Sequence, residues 1–218
     1  MVPYAGDEPP GRPPAATLCL VLGALAVFGA VGAVTWRLGP GLPVQWFATF
    51  GLTPGSLRWH TPFTYWLLHE HLLHVSANML FLFVFGGAID SALGRRNFVV
   101  LFVAAAAATG LVEAGVAQLG ADPESRTMVI GASGPVAFVL GMFASRYHRA
   151  RIRLTGSRLS VPAVPVIVGM ALGEMVSIAF GTPGHAGPTP AHWAHVSGFL
   201  LGIGWAHMSG LVRAGRRE

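Results

Sequence analysis

The stretch from Leu67 to Ile89, LLHEHLLHVSANMLFLFVFGGAI, carries one formally charged residue, Glu70, among leucines, phenylalanines and valines. As a helix rising ~1.5 Å per residue it would reach roughly 35 Å, enough to cross the ~30 Å hydrocarbon core of a bilayer. A run this long and this uniformly apolar does not suit an outer-membrane barrel, whose strands alternate and span in about ten residues. In lipid every backbone polar group needs an internal partner, so the run is expected as a transmembrane helix. It nevertheless carries His71, His74 and Asn78, three and four residues apart and hence on one helical face. Polar groups inside a membrane are costly, which makes that face the first candidate for function.

The rest of the chain has the same character. Of 218 residues 53% are hydrophobic and only 11% charged, against about 25% charged in soluble domains, which excludes a water-soluble fold. Five further spans are expected at 15–36, 98–119, 127–145, 161–180 and 191–212, giving an all-α polytopic membrane protein with six transmembrane helices. The first run is longer than the apolar core of a signal peptide and is expected to stay in the membrane. Cys19 follows Leu18 rather than a small residue, so no lipoprotein site is expected, and a single cysteine excludes an internal disulfide framework.

The net charge of +5 would suggest a nucleic-acid partner in a soluble chain. All 14 basic residues are arginines, and their positions give a different reading. With the N-terminus inside, Arg12, Arg95, Arg96, Arg146, Arg149, Arg151, Arg153, Arg158, Arg213, Arg216 and Arg217 fall on the cytoplasmic side, and only Arg37, Arg58 and Arg126 fall outside. Arginine enrichment of cytoplasmic loops makes this the expected topology, with the charge serving anionic lipid and no nucleic acid. Residues 1–14 are then a flexible cytoplasmic segment, 15–212 the membrane domain and 213–218 a basic tail. The outer loop 37–66, rich in Trp, Phe, Gly and Pro, is expected to lie in the membrane interface. The abundance of Ala, Gly and Arg hints at a GC-rich bacterial genome, hence a bacterial plasma membrane.

Measured along the expected spans, His74, Ser133 and His195 lie roughly 10, 9 and 6 Å below the outer face. Three helices thus bring Ser133, His195, His74 and Asn78 to one level. A serine hydroxyl becomes a nucleophile when a neutral imidazole removes its proton, and the same imidazole can protonate a leaving amine. His74, the Asn78 amide and the Ser133 backbone N–H could receive the oxyanion that follows. Ser133, Ala137 and Gly141, like His195, Gly198 and Gly202, form small-residue ridges that allow close helix approach.

These residues resemble the rhomboid intramembrane serine proteases. The family's His-x4-His-x3-Asn pattern appears as His69, His74 and Asn78, its Gly-x-Ser-Gly as Gly131 to Gly134, and its Ala-His-x-x-Gly as Ala194, His195 and Gly198. The run from Phe85 through Gly86, Gly87 and Asp90 to Gly94 resembles the end of the family's second helix. The resemblance implies a six-helix core with Ser133 as nucleophile, His195 as general base, and His74 and Asn78 lining the oxyanion hole. It also implies transmembrane protein substrates entering beside span five, and no cofactor or metal. Two positions depart from the family pattern. Arg58-Trp59-His60-Thr61 stands where a Trp-Arg pair is usual, and Ala137, followed by Phe138, stands where an aromatic packs on the catalytic histidine.

Other readings attach to the same residues. His207 echoes His195 in its local sequence but lies 12 residues on, roughly 18 Å deeper, too far from Ser133 to pair with it. The histidines near the outer face could ligate zinc, but no HExxH is present. His69 is expected to point away from the His74 face toward the first outer loop. Glu113 and Glu174 are expected as packing or cavity residues rather than catalytic ones. A non-proteolytic relative that binds membrane segments without cutting them is the alternative function.

Overall fold

The computed structural model describes residues 2–4, 14–119, 128–153, 160–169, 172 and 191–214. It is mostly helical. The helices are α1 (Ala15–Leu38), α2 (Gly41–Phe50), α3 (Thr61–Thr64), α4 (Leu72–Leu93), α5 (Arg95–Leu119), α6 (Ser133–Arg146), α7 (His192–Met208) and α8 (Leu211–Ala214). Among the described residues, only α1, α4 and α5, with 24, 22 and 25 residues, are long and apolar enough to cross a membrane. Residues 163–169 are helical within the expected fifth span, and most of that span, Glu174 included, lies outside the described residues.

Three features differ from the sequence reading. The second span begins at Leu72 rather than Leu67, because Tyr65–Leu67 form a 3-10 turn and Leu68 to His71 are not helical. The fourth begins at Ser133 rather than Thr127, leaving a helix of 14 residues, roughly 21 Å long. The all-helical expectation also needs an amendment. A small antiparallel sheet pairs Val2–Tyr4 (β1) with Arg151–Arg153 (β2), and β2 with Ser160–Pro162 (β3). It joins the chain ahead of α1 to the arginine-rich connection after α6.

The exterior is apolar. Leu22 of α1, Leu72 and Leu73 of α4, Val100 of α5 and Leu200 of α7 are all exposed. Exposed aliphatic residues all round a helical bundle are what lipid contact requires and water penalises. The interior combines large apolar side chains such as Phe85, Phe98, Phe102 and Phe143 with a few buried polar ones. Asp90 of α4 is buried, and its Oδ2 accepts the Thr17 N–H at 3.0 Å and the Thr17 hydroxyl at 3.3 Å. The carboxylate satisfies a donor that the first turn of α1 leaves without a helical partner. Gly86 and Gly87 clear the space for it. A Cβ on Gly86 would lie 3.2 Å from Thr17 Cγ2, and one on Gly87 3.2 Å from Pro14. Between Phe81 and Gly87, α4 opens into a π turn over Leu82–Gly86, and Phe85 on that turn packs edge-on against Phe143 of α6 at 4.9 Å.

The connection from α1 to α4 folds back over the bundle. Trp59 is 86% exposed, as is expected of an aromatic at an interface. Its neighbour His60 reaches the Thr49 carbonyl at 2.9 Å, while Thr61 turns back to the Arg58 carbonyl. Tyr65 goes inward, fully buried, and donates its hydroxyl to the Ala106 carbonyl of α5 at 2.9 Å.

Candidate active site

The backbone before α6 is irregular and buried, so each of its polar groups needs a partner supplied by neighbouring chain. Leu52 provides two, exchanging backbone hydrogen bonds with Val129 at 2.8 and 3.1 Å. The Tyr65 carbonyl accepts the Gly131 N–H at 3.1 Å. The Ala132 N–H points to His69 Nε2 at 3.4 Å. These contacts anchor the turn from which Ser133 emerges as the first residue of α6.

His69 is placed differently from the sequence expectation. It does not face away from His74. The two rings lie edge to face at 5.0 Å, and His69 is 2% exposed. Residues 68–71 are not helical, so helical spacing does not govern where His69 points. Its Nδ1 lies 3.3 Å from the Leu67 carbonyl. A ring that donates at Nδ1 and accepts at Nε2 is neutral, and burial, aided by the neighbouring His74, pushes its pKa down to about 4. Tyr65 is shifted in the opposite sense, since burial disfavours its phenolate.

α4 delivers the next two residues. His71 caps it, accepting the His74 N–H on Nδ1 at 3.1 Å. His74 and Asn78 then face the Ser133 turn. Gly131 has φ of 102°, and a Cβ there would lie 2.5 Å from His74 Nε2 and 3.6 Å from Asn78 Nδ2. Asn78 is buried, and its Nδ2 has no hydrogen-bond partner. A buried amide donor normally finds an acceptor, so one left open beside the Ser133 turn can receive an acceptor brought in by another molecule.

Helix α7 brings His195, whose Nε2 lies 2.6 Å from Ser133 Oγ. The close approach depends on glycine. A Cβ on Gly198 would strike the Gly134 carbonyl, and one on Gly202 the Phe138 carbonyl. On α6, a Cβ on Gly141 would strike the Phe199 carbonyl. The two small-residue ridges seen in the sequence therefore mesh backbone to backbone, as small residues allow in membranes. Ala137 stands 3.3 Å from the position of a Gly198 Cβ, so the departure from an aromatic there keeps the two helices in contact.

Two further residues border this pair. Thr109 of α5 packs against Gly134, where an added Cβ would come within 2.5 Å of its hydroxyl. Glu113, one turn on, accepts the Ala194 N–H on Oε2 at 2.8 Å. Thr109 could not be picked from sequence, being one more small residue in an apolar helix. Glu113 could, as an ionisable residue within a span. His207 sits near the far end of α7, well away from Ser133 and exposed.

Comparison with known proteins gives a consistent picture. A Rhomboid domain model matches residues 56–212. The chain is 31% identical over 156 residues to the Rhomboid protease GlpG of Haemophilus influenzae, covering 70% of each chain. It is 24% identical over 192 residues to the Rhomboid protease GlpG of Salmonella choleraesuis, covering 88% of this chain and 60% of the relative. With Rhomboid protein 1, mitochondrial, of Saccharomyces cerevisiae it shares 29% over 149 residues, 63% of this chain and 38% of that one. The matched region contains Ser133, His195, His74 and Asn78 together, and the chain belongs to the rhomboid family.

Proposed function

We propose that the protein is an intramembrane serine endopeptidase that cleaves transmembrane or membrane-proximal segments of membrane proteins, with Ser133 as nucleophile and His195 as general base. The observation that carries this reading is the 2.6 Å separation of Ser133 Oγ and His195 Nε2, held between two helices packed through glycine. Ser133 donates its proton to His195 Nε2 as Oγ adds to the scissile carbonyl carbon. Negative charge collects on the former carbonyl oxygen, where the open Asn78 amide, the His74 ring and the Ser133 N–H are available as donors. On collapse the C–N bond breaks, and the imidazolium returns the proton to the leaving amine. A water then gives a proton to His195 and adds to the acyl carbon. The second tetrahedral adduct collapses as the C–Oγ bond breaks and the His195 imidazolium returns its proton to Ser133 Oγ, regenerating the pair and freeing the new carboxylic acid, which ionises in water. Side chains, one backbone N–H and water account for every one of these steps, so the reading assigns no cofactor.

The membrane unit of this reading is 15–212, with six crossing helices, residues 1–14 and 213–218 in the cytoplasm and the site open to the extracytoplasmic side of a bacterial plasma membrane. The arginine distribution and the apolar exterior support it.

A fluorophosphonate probe tests the chemistry. Wild type is expected to be labelled, Ser133→Ala and His195→Ala are not, and wild type alone cleaves a reporter segment with a weak helix. A wild type that neither takes the probe nor cuts the reporter would overturn the protease reading and leave a membrane-segment binder.

A further inference from the structure

Thr109 and Glu113 are four residues apart on α5, hence one turn apart on the same face. That face meets the first turns of both helices that carry the reacting pair. Thr109 lies under Gly134, next to Ser133, and Glu113 binds the N–H of Ala194, next to His195. Helix α7 has no side-chain cap of its own, its N-cap residue being Ala191. The first four N–H groups of a helix lack helical acceptors, and an anion there is favourable. The carboxylate that α7 lacks is thus provided from another helix. Glu113 is also close enough to His192 and His195 to interact with their charge, and the Trp193 backbone contributes to holding it.

We propose that Glu113 is a positioning residue for the Ser133–His195 pair: its carboxylate fixes the first turn of α7 from α5 and gives the imidazolium formed during acyl transfer a negative neighbour. The inference rests on the protease reading. It makes the dyad dependent on an acid that touches neither the substrate nor Ser133. Structural capping needs only an acceptor, whereas support of the imidazolium needs a charge, so the two parts separate by substitution.

Glu113→Gln keeps an acceptor for the Ala194 N–H and removes the charge; Glu113→Ala removes both. The titratable groups that share this environment are His192 and His195 on α7, His74 on α4 and Tyr65 beneath α5. His192→Gln and His74→Gln therefore serve as controls for the pH profile. In proteoliposomes, Glu113→Gln is expected to lower the rate of Ser133 labelling roughly threefold to tenfold. Its acidic limb is expected to move to lower pH by about half a unit or more, because a base without a nearby anion holds its proton less well. Its melting temperature should stay near that of wild type. Glu113→Ala is expected to lose the labelling rate and to speed amide hydrogen exchange across residues 191–197.

A Gln variant with the wild-type rate and acidic limb would overturn the charge role. Unchanged exchange in the Ala variant would overturn the positioning role. The exchange measurement does not depend on activity, so an inert wild type would sink the protease reading without obscuring this result.

Discussion

The His74 ring occupies the space in which a side chain at position 131 would begin, with Nε2 2.5 Å from the Cβ that Gly131 lacks. The backbone there has φ of 102°, a conformation that residues with a Cβ rarely adopt. The turn before Ser133 and the ring on α4 therefore fit together only while position 131 is glycine. Gly131→Ala is expected to cost about 1–3 kcal/mol in backbone strain, to push His74 aside and to lower Ser133 labelling at least tenfold. Thermal melts and probe labelling in the same proteoliposomes check both effects. Full labelling of this variant would show that His74 need not lie against the turn.

Asn78 gives the opposite balance between stability and rate. Its Nδ2 is buried with no acceptor, so removing it leaves no protein group orphaned by that donor. Asn78→Ala is expected to lower kcat on the order of 10²-fold or more, the range for loss of one oxyanion donor, with little change in KM. The melting temperature should hold or rise slightly. A kcat within threefold of wild type would remove Asn78 from the oxyanion site.

Acid stability tests His69. Its pKa in the folded chain is about 4, below the 6.5 of the free ring, so the unfolded chain takes up the proton first as pH falls. The stabilisation from neutral His69 is complete above pH 6.5 and is lost progressively as pH drops from there toward 4, on the order of a few kcal/mol in all. The protein should melt at markedly lower temperature at pH 4.5 than at pH 7, and His69→Gln should flatten that slope. Parallel slopes would place the acid sensitivity elsewhere.

The helix interface that carries Ser133 and His195 has no room for a methyl group. Gly198→Ala and Gly202→Ala would each press a Cβ into a carbonyl of α6 and are expected to cost about 1–3 kcal/mol. Their effects on rate should differ. Gly198 abuts Gly134, the neighbour of Ser133, whereas Gly202 abuts Phe138 a turn further on. Gly198→Ala is expected to lose more labelling for the same loss of melting temperature. Equal losses of rate would mean that the two helices move apart as one rigid face.

Much of this site was legible in the sequence because its parts are rare where they stand. Ser133, His195, His74 and Asn78 interrupt apolar runs, and membrane chemistry makes such interruptions conspicuous. The starts of α4 and α6 were not legible. Residues 65–68 and 128–132 are as apolar as the helices they precede, and hydropathy records partition into lipid, not hydrogen bonding along the chain. Irregular backbone survives there only because Leu52, Tyr65 and His69 satisfy it, and those partners are distant in sequence. The orientation of His69 is hidden for the same reason, since residues 68–71 form no helix and helical spacing does not apply to them. The strand at Val2–Tyr4 depends on pairing with Arg151–Arg153, some 150 residues away, which no local pattern reveals.

The π turn at Leu82–Gly86 divides α4 into two working halves. A turn of this kind takes in one extra residue without breaking the helix, and so rotates everything beyond it by about 100°. The half before it aims Asn78 at the Ser133 turn, while the half after it aims Asp90 at the start of α1. One helix thereby serves two masters in different directions, reaction chemistry on one side and the anchoring of α1 on the other. Deleting Val84 would straighten the helix and turn one of those faces away from its partner, although Asn78, Phe85 and Asp90 would all still be present.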